Sequence, residues 1–458
     1  MEPRSLTYVA ASMLGELRAG SPETRVARVC SDSRQVQPGD LFFALAGERF
    51  DGHEFITEVA SKGVAAVVAE RTRMTGKMPE CGVIVVDNTR QALGRLAARY
   101  RQDFQLPIIA VGGSNGKTST KELLAGVLKK RLNTLWSEAS FNNDIGVPAT
   151  LLRLEKANQA AVLEIGTNHP GELAPLVSMI QPKFGIITSI GREHLEFFGD
   201  VAGVADEEGW LAELLPADGK LFLNGDSDWT KQIARRTRAT VVRVGFGAGN
   251  DWRVTDAKMD LQGVVFQVDA PDKSLSGQYR TALLGRHQAL NATFALAVGA
   301  ELGLTRDHLE QGLSDCKSAK MRLQLSNWNG ICVIDDAYNA NADSMLAALN
   351  TLQEMPCVGR RVAVLGDMAE LGAHSEAAHE EVGRRVAELG LNRLFAVGKM
   401  AGAMAKSARD AGLAEASEFD DVPAAAAAVK NFLKAGDVVL LKASRSTRLE
   451  RLFEMLKS

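Results

Sequence analysis

The chain has 458 residues, which is too long for one compact domain and long enough for about three. With 46% hydrophobic and 24% charged residues it can bury cores and stay in solution, which excludes disordered and fibrous proteins. The formal charge of −3 shows no excess of basic residues that would attract nucleic acid, so we expect no nucleic-acid partner.

Neither a membrane segment nor an export signal is indicated by the sequence. No run of roughly 18 apolar residues is present, and the first residues lack the apolar core of a signal peptide. The five cysteines show neither metal-site nor disulfide spacing: Cys30, Cys81, Cys316, Cys332 and Cys357. We therefore expect a protein of the reducing cytoplasm without a membrane span.

The first hundred residues contain short apolar runs separated by turns. We predict strands at 41–45, 64–69 and 83–86, followed by a helix over 89–101. This pattern indicates a small α/β domain over residues 1–104.

The middle of the chain alternates strand and helix patterns. The strands and helices expected of a doubly wound sheet lie at 108–111, 117–131, 161–163, 186–187, 221–223, 288–302 and 307–313. Alternating apolar and polar residues at 264–268 indicate antiparallel strands appended to that sheet. We predict a central doubly wound domain over residues 105–316.

The last part of the chain alternates again. Its predicted strands and helices lie at 331–334, 345–354, 362–365, 376–389, 394–397 and 438–441, and the alanine run 424–428 belongs to a helix. This pattern predicts a Rossmann-like domain over 317–458. The expected fold class is therefore α/β with three domains.

A glycine-rich loop between the strand at 108–111 and the next helix has the composition of a phosphate cradle. It reads Gly113-Ser114-Asn115-Gly116-Lys117-Thr118, the short G-x-x-G-K-T form, because Val111 stands where the longer signature has glycine. Backbone amides, a helix N-terminus and the Lys117 cation all attract phosphate, and the Thr118 hydroxyl suits Mg²⁺. The alternative is an ordinary strand-to-helix turn.

Motifs along the whole chain resemble the Mur ligases, the ATP-dependent amide-forming enzymes of peptidoglycan assembly. In chain order they are Ser31-Asp32-Ser33-Arg34, Gly47-Glu48-Arg49-Phe50-Asp51-Gly52-His53, Asn142-Asn143-Asp144-Ile145-Gly146-Val147-Pro148, Glu164-Ile165-Gly166, Asp335-Asp336-Ala337-Tyr338-Asn339-Ala340-Asn341, Leu365-Gly366-Asp367-Met368-Ala369-Glu370-Leu371-Gly372 and Lys442-Ala443-Ser444-Arg445-Ser446.

The resemblance implies a reaction and its substrates. The enzyme would add D-alanyl-D-alanine to UDP-N-acetylmuramoyl-tripeptide through an acyl phosphate, forming the pentapeptide precursor of the cell wall and releasing ADP and phosphate. ATP and Mg²⁺ are the implied cofactors, and we expect a monomer. The third residue of the tripeptide is left open.

The resemblance also assigns the nucleotide and metal residues. The ATP residues would be the phosphate loop from Gly113 to Thr118, together with Ser119, Asn291 for adenine, Arg322, and Asp336 for ribose. Metal ligands would be Thr118, Glu164 and His194, and Lys117, Glu164, His194 and Glu208 would form the catalytic set. Three smaller departures from the family are Gln288 after His287 where asparagine is usual, Met321 before Arg322 where glycine is usual, and Ala443 after Lys442 where glycine is usual.

Glu208 is the main departure from the family. Fourteen residues after the metal-binding histidine the family has a lysine that CO₂ carbamylates, and here that position is Glu208. We favour the hypothesis that this carboxylate replaces the carbamate, although its shorter side chain requires a shift or a bridging water. In the alternative, Glu207 and Glu208 merely begin a helix over 209–215, where acids suit the dipole.

The substrate residues follow from the same resemblance. The nucleotide-sugar would be bound by Ser31, Arg34, Arg49, Phe50, His53, Asn142 and Asn143. The acceptor dipeptide would be bound by Tyr338, Asn339, Asn341, Ser344, Ser444 and Arg445. Serine hydroxyls and arginine guanidinium groups suit diphosphates and carboxylates.

Two alternative functions stay open at this point. The acceptor could be a different one, as in a diamino-acid-adding muramyl ligase or a folylpolyglutamate synthase, but the Asp-Asn-Pro-Arg motif of the former is absent. The chain could also be a nucleotide-binding scaffold that has lost catalysis, as the change to Glu208 would allow. Retention of Lys117, Glu164 and His194 argues against the latter.

Overall fold

The computed structural model describes residues 1–47, 50–74 and 78–457. The chain forms two compact units. The first comprises Met1–Ala110, Leu132–Thr167 and Glu172–Phe184, and the second comprises Val111–Arg131, Asn168–Gly171 and Gly185–Ser458. Within the described ranges we find no helix that is both long and apolar enough to cross a bilayer.

A five-stranded sheet of order β2-β7-β6-β5-β4 forms the N-terminal part. β4 to β7 pair in parallel, and β2 is antiparallel to β7. The elements are β1 (Arg4–Ser5), α1 (Leu6–Met13), β2 (Glu16–Ala19), β3 (Arg25–Val26), β4 (Val29–Cys30), β5 (Leu41–Phe43), a 3₁₀ turn (Gly52–Phe55), α2 (Ile56–Ser61), β6 (Ala66–Glu70), β7 (Gly82–Val86) and α3 (Thr89–Arg101).

Helix α3 confirms the predicted bounds, and local chemistry explains both the start and the packing. The Asn88 side chain accepts a hydrogen bond from the Gln91 amide and so caps the first turn. Leu93, Leu96 and Tyr100 recur at helical spacing and are buried.

The central sheet has nine strands in the order β16-β15-β14-β13-β12-β11-β8-β10-β9. The elements are β8 (Ile108–Gly112), α4 (Lys117–Leu128), β9 (Thr134–Trp136), α5 (Gly146–Leu151), β10 (Ala160–Glu164), α6 (Leu173–Ile180), β11 (Phe184–Ile187), α7 (Leu195–Phe198), α8 (Val201–Glu213), β12 (Lys220–Asn224), α9 (Thr230–Ala234), β13 (Thr240–Gly245), β14 (Trp252–Asp260), β15 (Gly263–Asp269), a 3₁₀ turn (Lys273–Leu275), β16 (Gly277–Thr281), α10 (His287–Glu301) and α11 (Arg306–Asp315).

The appended antiparallel strands are confirmed as β14, β15 and β16. Helix α4 ends at Leu128, three residues before the predicted end, because the amides of Lys130 and Arg131 bond to carbonyls three residues back in turns.

Helix α8 contradicts the helix-start explanation of Glu207 and Glu208. It begins at Val201, where the Asp200 side chain accepts a hydrogen bond from the Gly203 amide at 3.0 Å. Both glutamates therefore lie inside the helix, beyond the first turn in which the dipole favours acids. Their positions need another reason.

The C-terminal part is a six-stranded sheet of order β17-β18-β22-β19-β20-β21, parallel except for β17. The elements are β17 (Gln324–Trp328), β18 (Ile331–Asp335), α12 (Ala342–Glu354), β19 (Arg361–Gly366), a 3₁₀ turn (Gly372–His374), α13 (Ser375–Glu388), β20 (Arg393–Val397), α14 (Ala401–Asp410), β21 (Ala416–Phe419), α15 (Val422–Phe432), β22 (Val438–Lys442), a 3₁₀ turn (Arg445–Thr447) and α16 (Glu450–Lys457).

Separate apolar clusters cover the two faces of this C-terminal sheet. Met345, Val382 and Met404 belong to one, and Val429 and Leu452 belong to the other. Helices on both faces of a largely parallel sheet make a doubly wound fold, as expected. The three large sheets of the described residues confirm a three-domain α/β architecture, while the domain bounds at 104 and 316 remain predictions.

Candidate active site

The phosphate loop joins the end of β8 to the start of α4. Gly113 and Gly116 have φ values of +106° and +88°, which L side chains rarely adopt. A Cβ at Gly113 would lie 2.6 Å from Thr188 Oγ1, and one at Gly116 would lie 2.7 Å from Asn291 Oδ1. Glycine is therefore required for both backbone conformation and space, as in a loop that wraps closely around a ligand.

Residues that follow β11 hold the loop in place. The Ser114 amide donates to Ser189 O at 2.8 Å, and the Asn115 amide donates to Ser189 Oγ at 2.9 Å. Thr188 Oγ1 donates to Asn115 O at 2.7 Å. These bonds fix the loop before any ligand arrives, which lowers the entropic cost of binding.

The Lys117 ammonium group lies over the loop. Its Nζ donates to the carbonyl of Gly113, to Ser114 O at 3.3 Å and to Glu193 Oε2 at 3.3 Å. Glu193 is only 6% exposed. A buried carboxylate therefore faces Lys117, the cation that would attract phosphate. Thr118 is buried in the first turn of α4, and Ser119 beside it is half-buried.

Glu208 is fully buried against the same loop. Its Oε2 accepts a hydrogen bond from the Gly113 amide at 2.7 Å, while its Oε1 has no hydrogen-bond partner within the described part of the chain. Burial raises the pKa of Glu208 to about 8, Lys117 opposes that rise, and the negative charge of Glu193 adds to it. The structure thus places the Glu208 carboxyl group directly at the phosphate loop.

His194 follows β11 and has a left-handed backbone, with φ of +49°. Its Nδ1 lies 2.5 Å from Glu370 Oε2, and its Nε2 lies 3.9 Å from Glu193 Oε2. The hydrogen bond from His194 lowers the pKa of Glu370. Glu193 therefore lies between the imidazole and Lys117.

The C-terminal domain contacts the phosphate loop and the His194 segment. Asn341 Nδ2 donates to Asn115 Oδ1 at 3.0 Å. Arg192 donates to the Asp343 carboxylate through its backbone amide and its Nε, both at 2.8 Å, and through Nη1 to Glu381 Oε2 at 2.5 Å. The second unit thus carries loop and C-terminal groups in one site.

The expected nucleotide residues flank this loop and lie in the C-terminal domain. Asn291 lies against Gly116 and donates to Gln288 Oε1 at 2.9 Å. Asp336 is buried and accepts from Lys442 Nζ at 2.6 Å. The Arg322 guanidinium stacks 4.2 Å from the centre of the Tyr338 ring.

Met321, which departs from the family, and His287, which precedes the departing Gln288, each have a distinct local structure. Met321 has φ of +57°, so a side chain occupies a backbone conformation that suits the family's glycine. His287 begins α10 and is half-buried, and desolvation of its ring lowers its pKa to about 4, so its imidazole is neutral at pH 7. This is consistent with a structural role for His287.

Glu164, Asn142 and Asn143 belong to the first unit. Glu164 ends β10, is buried, and its Oε1 accepts from Asn142 Nδ2 at 2.9 Å. Asn143 Oδ1 accepts from the Gly146 amide at 2.9 Å and so shapes the start of α5. A strand-end carboxylate oriented by an amide is a suitable arrangement for a metal ligand.

The expected nucleotide-sugar residues at the N-terminus differ in exposure. Ser31 and Phe50 are exposed, and the Arg34 side chain is 86% exposed while it pairs with Asp32 at 2.8 Å. The ring of His53 is engaged locally, with Nδ1 2.6 Å from Asp51 Oδ1 and Nε2 accepting from the Glu70 amide at 2.9 Å. Arg49 lies outside the described residues.

The expected acceptor residues divide into outward-facing and structural groups. Asn339 is exposed and Arg445 pairs with Glu450 at 3.0 Å, so both can turn to a ligand. Asn341 and Ser344 form a reciprocal capping box that starts α12. Ser444 Oγ accepts from the Ala369 amide at 2.9 Å and donates to Ala340 O at 3.0 Å.

Sequence reasoning gave no role to four charged residues of this site. They are Glu193, Asp343, Glu370 and Lys442. Glu370 and Lys442 lie inside motifs that carry the resemblance, and Glu193 directly precedes His194. Their positions in the sequence are the available signal, but only the fold shows what each residue contacts. In the described ranges no three His, Cys, Asp or Glu side chains converge as a ready-made metal site.

The chain belongs to the Mur ligase family. Three family models match it: the Mur ligase family catalytic domain over residues 25–101, the Mur ligase middle domain over 111–299, and the Mur ligase glutamate ligase domain over 321–445.

Full-length relatives place it near one branch of that family. It is 37% identical to UDP-N-acetylmuramoyl-tripeptide–D-alanyl-D-alanine ligase of Escherichia coli, over 99% of this chain and 98% of the relative. It matches a crystal structure of MurF from Acinetobacter baumannii with a TM-score of 0.90 and 32% identity, with both chains fully covered. It also matches MurF of Thermotoga maritima in complex with ADP, with a TM-score of 0.81, 28% identity, and coverage of 94% and 97%.

Proposed function

We propose that this chain catalyses the MurF reaction, the ATP-dependent addition of D-alanyl-D-alanine to UDP-N-acetylmuramoyl-tripeptide. The observation that carries the proposal is the phosphate loop, with Lys117 over it and Asn341 of the C-terminal domain bonded to Asn115, in a chain similar over its full length to ligases of that name. The products are the UDP-linked pentapeptide, ADP and phosphate.

ATP is bound by backbone and side-chain groups of the loop. The glycines leave space for the triphosphate, and the start of α4 supplies amides and a partial positive charge. Lys117 exchanges its contacts with the loop carbonyls and Glu193 for the γ-phosphate when it turns to the nucleotide. Asn291 is proposed for adenine, with Arg322 and Asp336 toward the rest of the nucleotide.

The reaction proceeds in two chemical steps. The tripeptide carboxylate attacks the γ-phosphorus, ADP leaves, and an acyl phosphate forms on the substrate. The amine of the dipeptide then attacks the acyl carbon and inorganic phosphate leaves. Negative charge develops in both steps, so fixed cations such as Lys117 and backbone amides lower the barrier.

Magnesium suits the donor groups present. The Thr118 hydroxyl and the buried Glu164 carboxylate are oxygen donors of the kind that this ion prefers beside phosphate oxygens and water. Each is proposed as a ligand, and the His194 imidazole is proposed as a further one. When bound, magnesium neutralises charge on the phosphates. A site completed by substrate agrees with the lack of a convergent three-residue cluster in the described ranges.

Glu208 is proposed as the acidic group that replaces the family's carbamylated lysine. Its support is its buried position at the loop, 2.7 Å from the Gly113 amide, next to Glu193 and Lys117. The test is the activity of Glu208→Ala with and without bicarbonate. We expect a large loss that bicarbonate does not restore, together with a wild-type rate that is insensitive to removal of CO₂. Near-wild-type activity of the variant would exclude the role.

The residues proposed to bind the nucleotide-sugar and the acceptor dipeptide are chosen by their exposure and side-chain chemistry. Ser31 and Arg34, with Phe50, His53, Asn142 and Asn143, are proposed for the nucleotide-sugar, and Arg49 completes that set from outside the described residues. Tyr338, Asn339 and Arg445 are proposed to contact the dipeptide, with Arg445 facing its carboxylate. Asn341, Ser344 and Ser444 shape that pocket through their backbone bonds.

We place the enzyme in the cytoplasm as a monomer. All five cysteines are free, which suits a reducing compartment, and the ATP and nucleotide-sugar that it uses are cytoplasmic substrates.

The decisive experiment measures phosphate release from ATP with UDP-N-acetylmuramoyl-tripeptide, with and without D-alanyl-D-alanine. Turnover that requires both substrates, with a pentapeptide product seen by mass spectrometry, supports the proposal. Turnover with a diamino acid or with glutamate in place of the dipeptide would assign a different acceptor. No turnover with any acceptor would indicate a protein without ligase activity.

A further inference from the structure

The His194 segment and the Glu370 loop are joined by two hydrogen bonds. The first is the 2.5 Å contact between His194 Nδ1 and Glu370 Oε2, and the second runs from the Glu196 amide to Glu370 O at 3.0 Å. Both His194 and Glu370 have left-handed backbones, with φ of +49° and +61°. Such conformations cost energy and persist where the surroundings fix them, commonly at functional sites.

The bond to Glu370 determines which nitrogen of the imidazole is available. A carboxylate only accepts hydrogen bonds, so Nδ1 carries the proton and donates it. The lone pair is then on Nε2, the nitrogen that faces Glu193. Carboxylates that bond to the remote nitrogen of a metal-binding histidine orient the ring and increase its basicity.

We propose that Glu370 is a positioning residue that sets the tautomer and the orientation of His194 for magnesium, so that this ligand is complete only when the C-terminal domain is docked. The inference rests on the proposed function, which supplies the metal. Glu370 lies between β19 and α13 of the C-terminal sheet, whereas His194 follows β11 of the central sheet. Docking and metal binding are therefore coupled through one hydrogen bond.

A rival explanation is that the pair only fastens the two domains together. Arg192 and Glu381 provide a matched comparison, because they also join the central and C-terminal domains, at 2.5 Å, without touching the imidazole. If the pairs only fasten the domains, removal of Glu370 and removal of Glu381 should change the affinity for the metal to the same extent. If Glu370 positions the imidazole, only removal of Glu370 should lower the affinity for the metal.

The experiment uses the full chain with Mn²⁺ as the probe and a non-hydrolysable ATP analogue, and follows bound Mn²⁺ by electron paramagnetic resonance. We expect Glu370→Ala to weaken Mn²⁺ about 10- to 100-fold. Glu370→Gln keeps an acceptor for Nδ1–H and should stay within a few-fold of wild type, and Glu381→Gln should leave the affinity unchanged. Wild-type affinity in Glu370→Ala, or an equal loss in Glu381→Gln, would overturn the proposal.

A second measurement does not depend on the folding of any Glu370 variant. Nitrogen-15 spectra of the histidine rings at pH 8, with the His194 signal assigned by its absence in His194→Gln, report the tautomer directly. The proposal requires the Nδ1-protonated form, and any other form rejects it. Both readouts are independent of turnover, so a failure of ligase activity would count against the proposed function alone.

Discussion

The Glu208 carboxylate accepts a hydrogen bond from the Gly113 amide, so helix α8 and the phosphate loop are joined by a buried contact of 2.7 Å. The Glu208 side chain is fully buried, and Lys117 is the cation that acts on it. An acid in this position is costly when ionised, because burial and the nearby Glu193 both oppose its charge. A residue kept there at such a cost is expected to have a functional role.

This raised pKa makes a prediction about stability. The pKa of Glu208 is about 8 in the folded chain and near 4.5 when unfolded, so the native state binds the extra proton between these values. Wild-type stability therefore falls as pH rises from about 4.5 to about 8. Glu208→Gln has no such loss and keeps an acceptor for the Gly113 amide. Its melting temperature relative to wild type should rise across that window and level off above it.

Melting curves at pH 5, 7 and 9 test this expectation. The full shift corresponds to at most about 5 kcal/mol. A stability difference that does not change with pH would show that Glu208 is ionised throughout, and a difference that shrinks with pH would contradict the sign.

Lys117→Ala should lower kcat/KM by about 10²- to 10³-fold, because one fixed charge at the transferring phosphate is lost. The expected effect is on turnover, since the loop amides still bind the nucleotide. Lys129→Ala is the control, because it removes the same charge at the C-terminal end of the same helix, next to Leu128. Equal losses in both variants would indicate an effect of overall charge.

Gly116→Ala should weaken binding of an ATP analogue tenfold or more. The new Cβ would lie 2.7 Å from Asn291 Oδ1, in a backbone conformation with φ of +88°. Gly171 has the same φ but no atom within 4 Å of such a Cβ, so Gly171→Ala isolates the backbone cost of about 1–2 kcal/mol. Calorimetric binding and melting temperatures of both variants separate strain from crowding. Equal binding by both would exclude crowding at the loop.

Asp336→Asn should destabilise the C-terminal domain by about 3–5 kcal/mol, because Lys442 then loses its buried partner. The double variant Asp336→Asn, Lys442→Met removes both charges and should recover part of the loss. Denaturant unfolding measures the difference. If the double variant is no more stable than Asp336→Asn, the ion pair is not the source of the cost.

Local chemistry made much of the fold predictable. The bounds of α3 follow from an Asn cap and a regular apolar spacing, and the strand, glycine loop and helix at 108–128 follow from one motif. The alanine run falls inside α15, as its helix propensity indicates. These features depend on neighbours in sequence.

The contacts around the site could not be predicted in this way. Glu370 reaches His194 across 176 positions of sequence, and no local pattern encodes that distance. The motif that contains His53 predicts contact with a ligand. In the structure both of its ring nitrogens instead bond to residues of its own domain. The position of Glu208 fourteen residues after His194 predicts a place in the site, but only the fold shows that its carboxyl group bonds to the loop amide.

One helix begins at the phosphate loop and the N-terminus of another lies beside it, because Gly116 precedes α4 and the side chain of Asn341, the capping residue of α12, bonds to the side chain of Asn115. The positive ends of both peptide dipoles therefore act at short range on whatever occupies the loop. These partial charges do not titrate and add nothing to the net charge of −3. A protein with slightly more acids than bases can thus attract a triphosphate at the point of reaction while its surface stays unattractive to other polyanions.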